Sequence, residues 1–124
     1  MEKLLMNSTS SQTFRKKRCV GYARVSTQEQ AEEGSIDAQI QTIQEYCQRE
    51  NMECVGVYVD RGKSGKNIKG RPEMQQLLQD AENGDFDAVV VWKISRVARN
   101  LMNLLEIVNV LQKQDIAFYS ISEK

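Results

Sequence analysis

Apolar positions along the chain switch between a short and a long period. Cys19 to Val25 is a short apolar run that reads as a buried strand. Ile36, Ile40, Ile43 and Cys47 then recur at spacings of four, three and four, a helical stripe that Ser35 is placed to cap. Cys54 to Val59 reads as a second strand. Residues 60–71 carry Gly62, Gly65 and Gly70 and read as a loop. Pro72 suits a first helical position, with Met74, Leu77, Leu78 and Ala81 as the buried face and Gly84 as the stop. Ala88 to Trp92 is apolar throughout, as in a strand covered on both faces. Leu101, Leu104, Leu105, Val108 and Leu111 define a third helix, and Ile116 to Ile121 a fourth strand. The order βαβαβαβ predicts a three-layer α/β domain, with a mainly parallel four-stranded central sheet flanked by helices and right-handed crossovers.

Residues 1–17 are polar and without sustained period, so they are expected to form a flexible leader ahead of a domain spanning 18–124. The sequence stops directly after the fourth strand, which suggests a domain truncated from something longer. The 124 residues, 40% of them apolar, suit one small domain with one core. No apolar run approaches a membrane span, and the apolar start is too short for a secretory signal, so a cytoplasmic address is expected and no membrane partner.

Cys19, Cys47 and Cys54 are odd in number, lack a C-x-x-C pair and have no histidine to join them. Zinc ligation of the usual kind is therefore not expected, and the three read as reduced, partly buried thiols. Formal charge is +0 and the sequence pI about 6.3. A free-standing DNA binder is usually basic, so most phosphate affinity would come from another module. The charge is locally uneven: residues 61–71 hold Arg61, Lys63, Lys66, Lys69 and Arg71 without one acid. The lysines of that run read as a solvated basic loop.

The candidate chemistry begins on the first strand. Tyr22, Arg24 and Ser26 share one face by alternation. An arginine in a strand core is costly unless an anion or carboxylate meets it, and a serine beside it suggests chemistry on a phosphate. In open α/β sheets, sites gather at the carboxyl ends of strands. Ser26 lies past strand one, Asp60 past strand two, and Ser95, Arg96 and Arg99 past strand three. Arg96 and Arg99, three apart at an expected helix start, would share a face. Arg71 stands just before the Pro72 helix, whose free amides would also attract phosphate. With Arg24, the four guanidiniums could surround one phosphate near Ser26.

A Ser-His-Asp triad is excluded because the chain has no histidine. Asp85 and Asp87, the nearest approach to a two-metal carboxylate cluster, sit in a turn at the wrong end of strand three. What remains is arginine-assisted, metal-free attack by serine on phosphorus. Gly62-Lys-Ser64 does not make a phosphate-binding P-loop, since the glycine that motif needs at position 57 is Val57. Each residue also has a plainer reading. Ser26 alone would be a helix cap, Arg96 and Arg99 a solvated face, Asp60 the start of a loop, and Tyr22, Trp92 and Phe118 core. A non-catalytic α/β module that binds a phosphorylated ligand, or a hydrolytic phosphodiesterase, are the competing functions.

Four segments, in order, carry a resemblance. Tyr22-Ala-Arg-Val-Ser26 with Gln30, Asp60 with Ser64 and Gly65, Gly70-Arg-Pro72, and Lys93-Ile-Ser-Arg-Val-Ala-Arg-Asn100 resemble the catalytic domain of serine site-specific recombinases. These are the resolvases, the invertases and the large serine integrases and transposases. The resemblance runs from about Cys19 to the last residue, and the longer 60–65 loop and the Gly70-Arg-Pro72 form are more similar to the large subgroup. It implies the resolvase-like fold and site-specific recombination of double-stranded DNA by a homodimer that becomes a homotetramer in the full-length protein. No cofactor is implied. It implies that Ser26 is the nucleophile and is held as a phosphoserine link to the DNA 5′ end. Arg24, Arg71, Arg96 and Arg99 would grip the scissile phosphate, Gln30 and Gln39 would support the serine loop, and Asp60 would orient arginines by salt bridging. Tyr22 and Ser64 would be supporting residues. The aspartate that usually precedes the first arginine of the last motif is replaced by Ser95.

Overall fold

The computed structural model describes residues 16–25, 36–61, 71–98 and 100–122. Four strands, β1 (Arg18–Val25), β2 (Glu53–Arg61), β3 (Ala88–Val91) and β4 (Ala117–Ser120), form one sheet. Three helices connect them: α1 (Ile36–Arg49), α2 (Pro72–Glu82) and α3 (Leu101–Lys113). The sheet order is β2-β1-β3-β4 and every pair is parallel. The chain steps outward from β1 to β2, then crosses to β3 on the other side of β1. The order therefore reverses beside β1, and the carboxyl ends of β1 and β3 flank the crevice where such sheets place their sites.

The period-2 alternation of the strands builds the layers. Val20 and Tyr22 of β1 and Val89 and Val91 of β3 pack with Met74, Leu77 and Ala81 of α2 and Ile107 and Leu111 of α3. Cys19, Ala23 and Val25, with Ala88 and Val90, face the other way, onto Ile36, Ile43, Tyr46 and Cys47 of α1. Burying each such side chain contributes about 1.5–3 kcal/mol, and β3 is buried at all four positions, as its unbroken apolar run predicts.

Gly21 belongs to the central strand because α1 presses on it. A Cβ built there would lie 2.7 Å from Cγ2 of Ile43, which is itself fully buried. Gly21→Ala is expected to destabilise the chain by about 1–3 kcal/mol through overpacking, as read from urea midpoints. An unchanged midpoint would show that α1 sits higher over the sheet.

Two expectations about local structure change. The helix after β3 does not start at the arginines. Ile94–Arg96 is a single 3-10 turn, and α3 starts at Leu101, where the Asn100 side chain accepts a hydrogen bond from the Asn103 amide at 2.8 Å. An asparagine oxygen is a strong helix cap, so the segment carrying Arg96 precedes the helix and lies on no face of it. The buried stripe of α3 is also rotated. Ile107 and Leu111 are its fully buried residues, whereas Leu101, Met102 and Leu105 are exposed by 66, 75 and 48%. Gly84 ends α2 as expected, at φ +74 with its amide bonded to the Ala81 carbonyl at 3.0 Å. Among the described residues no helix is long and apolar enough to cross a membrane.

Candidate active site

The carboxyl edge of the sheet collects the polar groups that the core excludes. Among the described residues the buried polar or charged ones are Arg24, Gln39, Asp60 and Arg71, all of them candidates from the sequence. β1 and β2 run in register there, with Tyr22 beside Tyr58 and Arg24 beside Asp60.

Asp60, at the end of β2, is the hub. Its Oδ2 accepts from the Tyr22 hydroxyl at 2.8 Å and from the Met74 amide at 3.0 Å, and its Oδ1 accepts from the Glu73 amide at 3.0 Å. The N-cap position of α2 is Arg71, whose side chain makes no capping bond. A carboxylate from a neighbouring strand therefore caps this helix, at the end where the helix dipole favours negative charge. The sequence-based expectation that these amides await a phosphate is thus corrected, since Asp60 occupies them. The same bonds set the first turn of α2 and so place Arg71.

Arg71 is fully buried, and its Nη1 donates to the Val97 carbonyl. Arg24 is 1% exposed, and its Nη2 donates to the Ser95 carbonyl at 3.3 Å. Two guanidiniums, one from β1 and one from the start of α2, thus converge on the segment that follows β3. Arg96 belongs to that segment. Ser95 is exposed and contributes its backbone carbonyl to this contact. Gln39, in the first turns of α1, is 3% exposed, and neither atom of its amide has a hydrogen-bond partner among the described residues. Ser26, Gln30, Ser64 and Arg99 lie outside the described residues.

The environment shifts several acids upward. The Tyr22 phenol is raised first by burial and then by the Asp60 carboxylate, with Arg71 opposing. Tyr58 is raised by burial and by its 2.6 Å bond to Asp80. Burial likewise raises Cys19 and Cys47. Such groups hold their protons more tightly folded than unfolded. Their stability is therefore present in full below the ordinary values of 9.0 for a thiol and 10.0 for a phenol, and is lost as pH rises through those values toward the folded ones. The urea midpoint is expected to hold steady to about pH 8 and then fall, with Tyr22 alone contributing up to about 1.4 kcal/mol per pH unit above pH 10. Tyr22→Phe should flatten that alkaline slope; an unaltered slope would place the hydroxyl in water.

Comparison with known proteins joins this geometry to a family. The profile of the resolvase N-terminal domain matches residues 19–124, and the chain belongs to that family. It is similar to the solved N-terminal catalytic domain of TP901-1 integrase, at 41% identity and a TM-score of 0.80, over 86% of this chain and 79% of that one. It is also 30% identical over 104 residues to the Tn552 DNA-invertase BinR of Staphylococcus aureus and 32% identical over 104 residues to the DNA-invertase hin of Salmonella typhimurium (strain LT2). Each of those alignments covers 84% of this chain and 47% of the relative, so the chain spans about half the length of these two invertases.

The structure places Tyr22, Arg24, Asp60 and Arg71 at this one edge, with Asp60 bonded to Tyr22 and to the amides of α2. What the sequence reading missed is the helix-capping role of Asp60 and the use of the Ser95 and Val97 carbonyls as arginine acceptors. The Asn100 cap was missed as well, although an asparagine immediately before an apolar helical stripe is a common start signal.

Proposed function

We propose that residues 18–124 form the catalytic domain of a serine site-specific recombinase of the large integrase and transposase type, acting on double-stranded DNA. Ser26 attacks the scissile phosphodiester, its proton passes to solvent or a neighbouring base, and the DNA 3′ hydroxyl leaves. The DNA 5′ end stays on the enzyme as a phosphoserine ester. Attack by a 3′ hydroxyl on that ester reverses the step and frees Ser26, so bond energy is conserved and no ATP is consumed.

The observation that carries this reading is the convergence of Arg24 and Arg71 on residues 95–97, at the carboxyl edge where β1 leads into Ser26. Both guanidiniums now bond neutral carbonyls. A phosphate oxygen would compete well for them, because charge-assisted bonds are about twice as strong as neutral ones. Arg96 and Arg99 would complete the grip, with Asp60 and Tyr22 positioning Arg71 and with Gln30, Gln39 and Ser64 in support. Recognition of a DNA site would need residues outside this chain, in keeping with its formal charge of +0. The exposed Leu101, Met102 and Leu105 offer apolar surface to further copies in a dimer or tetramer.

The near-complete burial of Arg24 and Arg71 favours a second reading, in which they only brace the segment after β3 and the domain binds phosphate without cleaving. One experiment separates the two. The full-length protein containing this chain is incubated with duplex DNA carrying its recombination site, in the presence of a chelator. The proposal expects a protein–DNA adduct that survives denaturant and is absent from Ser26→Ala. Phosphate-dependent binding untouched by Ser26→Ala, with no adduct, would support bracing instead.

A further inference from the structure

Three thiols that are scattered in sequence meet at the opposite end of the sheet. Cys19 and Cys54 are register partners near the amino ends of β1 and β2, and Cys47 comes from α1, which packs across both strands. Their Sγ atoms all lie within 4.8 Å of one another, and the Cys19 and Cys47 sulfurs are 2.7 Å apart. Cys19 and Cys47 are buried, at 0 and 1% exposure, and Cys54 is half-buried. The proposed recombination chemistry, five residues further along β1 at Arg24, uses none of them.

We propose that Cys19, Cys47 and Cys54 bind one thiophilic d10 cation, with Cu(I) the best match, in a three-sulfur site. Every donor is soft, and soft thiolates select such ions over magnesium, calcium or manganese. Among the described residues, no carboxylate joins the three sulfurs as a fourth ligand, and the chain has no histidine. Structural zinc wants four ligands in a tetrahedron, so the set suits zinc less well. Access exists at the edge strand. Cys54 is half-buried on β2, the outer strand of the sheet, and its thiol donates to the Gly56 carbonyl at 3.6 Å.

No electron transfer is involved. Each thiol that ligates gives its proton to solvent and forms one sulfur–metal bond. The bound ion would join α1 to β1 and β2, and binding to the folded chain alone would stabilise it by mass action.

The test is a titration of the reduced, metal-free 124-residue chain with Cu(I) under anaerobic conditions, against a chromophoric Cu(I) chelator as competitor. One Cu(I) per chain is expected, together with a rise in Tm. Cys54→Ser, at a half-buried position that tolerates a hydroxyl, should bind at least about 100-fold more weakly, the upper end of what even outer-shell partners cost. Cys47→Ala should lose the site, with circular dichroism confirming that it folds. Stoichiometric binding that survives both substitutions would put the ion elsewhere and overturn the proposal. So would a reduced wild-type chain that competes no better than Cys54→Ser.

Discussion

Asp60→Ala is expected to be among the most damaging single truncations in the chain, lowering its stability by about 3–5 kcal/mol. Three donors converge on this carboxylate: the Tyr22 hydroxyl and the amides of Glu73 and Met74. Removing it leaves a buried hydroxyl and two helix-end amides without their acceptor, beside a buried guanidinium. Each hydrogen bond to a charged group is worth about 1.5–3 kcal/mol, and the three act as a unit, so their sum is not reached. Against a total stability of about 5–15 kcal/mol the loss is large, and Tm should drop by roughly 10–20 °C. Tyr22→Phe removes one of the three bonds and should cost only about 1–2 kcal/mol. Differential scanning calorimetry of both variants checks the ranking. A loss under about 1 kcal/mol for Asp60→Ala would mean that α2 is not capped from β2.

Arg71→Lys is expected to spare the fold and cripple cleavage. Lysine keeps the positive charge, but it loses the planar fork that can hold the Val97 carbonyl and a phosphate together. If Arg71 contributes to the transition state as proposed, the rate of adduct formation should fall by about 10²–10³, the usual effect of removing one preorganised donor. Stability should change by no more than about 1–2 kcal/mol. The paired readouts matter because Arg71 is fully buried and serves structure in any case. A variant that melts like wild type and cleaves like wild type would confine Arg71 to bracing.

The strands and helices were legible because their apolar periods are clean. The run Ala88–Val91 shows all four side chains buried, and Met74, Leu77 and Ala81 face the core at helical spacing. The face of α3 was less legible. Its leucines satisfy a helical period along two adjacent stripes, and only packing against α2 and the sheet selects Ile107 and Leu111 over Leu101 and Leu105. Arg24, Asp60 and Arg71 could be gathered at one edge from topology alone. Their bonds could not, since Asp60 reaches a tyrosine 38 residues away and amides 13 and 14 residues on. The thiol cluster was illegible for the same reason. Cysteine spacing in the chain carries no trace of a β1–β2 register that sets Cys19 beside Cys54. Ser26, Gln30, Ser64 and Arg99, named from the sequence, lie outside the described residues and rest on the motif alone.

The most direct measurement is to find which atom carries the DNA. The adduct formed by the full-length protein would be trimmed with nuclease and trypsin and fragmented in a mass spectrometer. Cleavage after Arg24 and Arg49 yields one peptide, Val25 to Arg49, that contains Ser26 along with Thr27, Ser35, Thr42 and Tyr46. A nucleotide attached through its 5′ phosphate to Ser26 is the predicted result. Attachment to Tyr46 or to any residue outside that peptide, or a 3′ phosphate linkage, would contradict it.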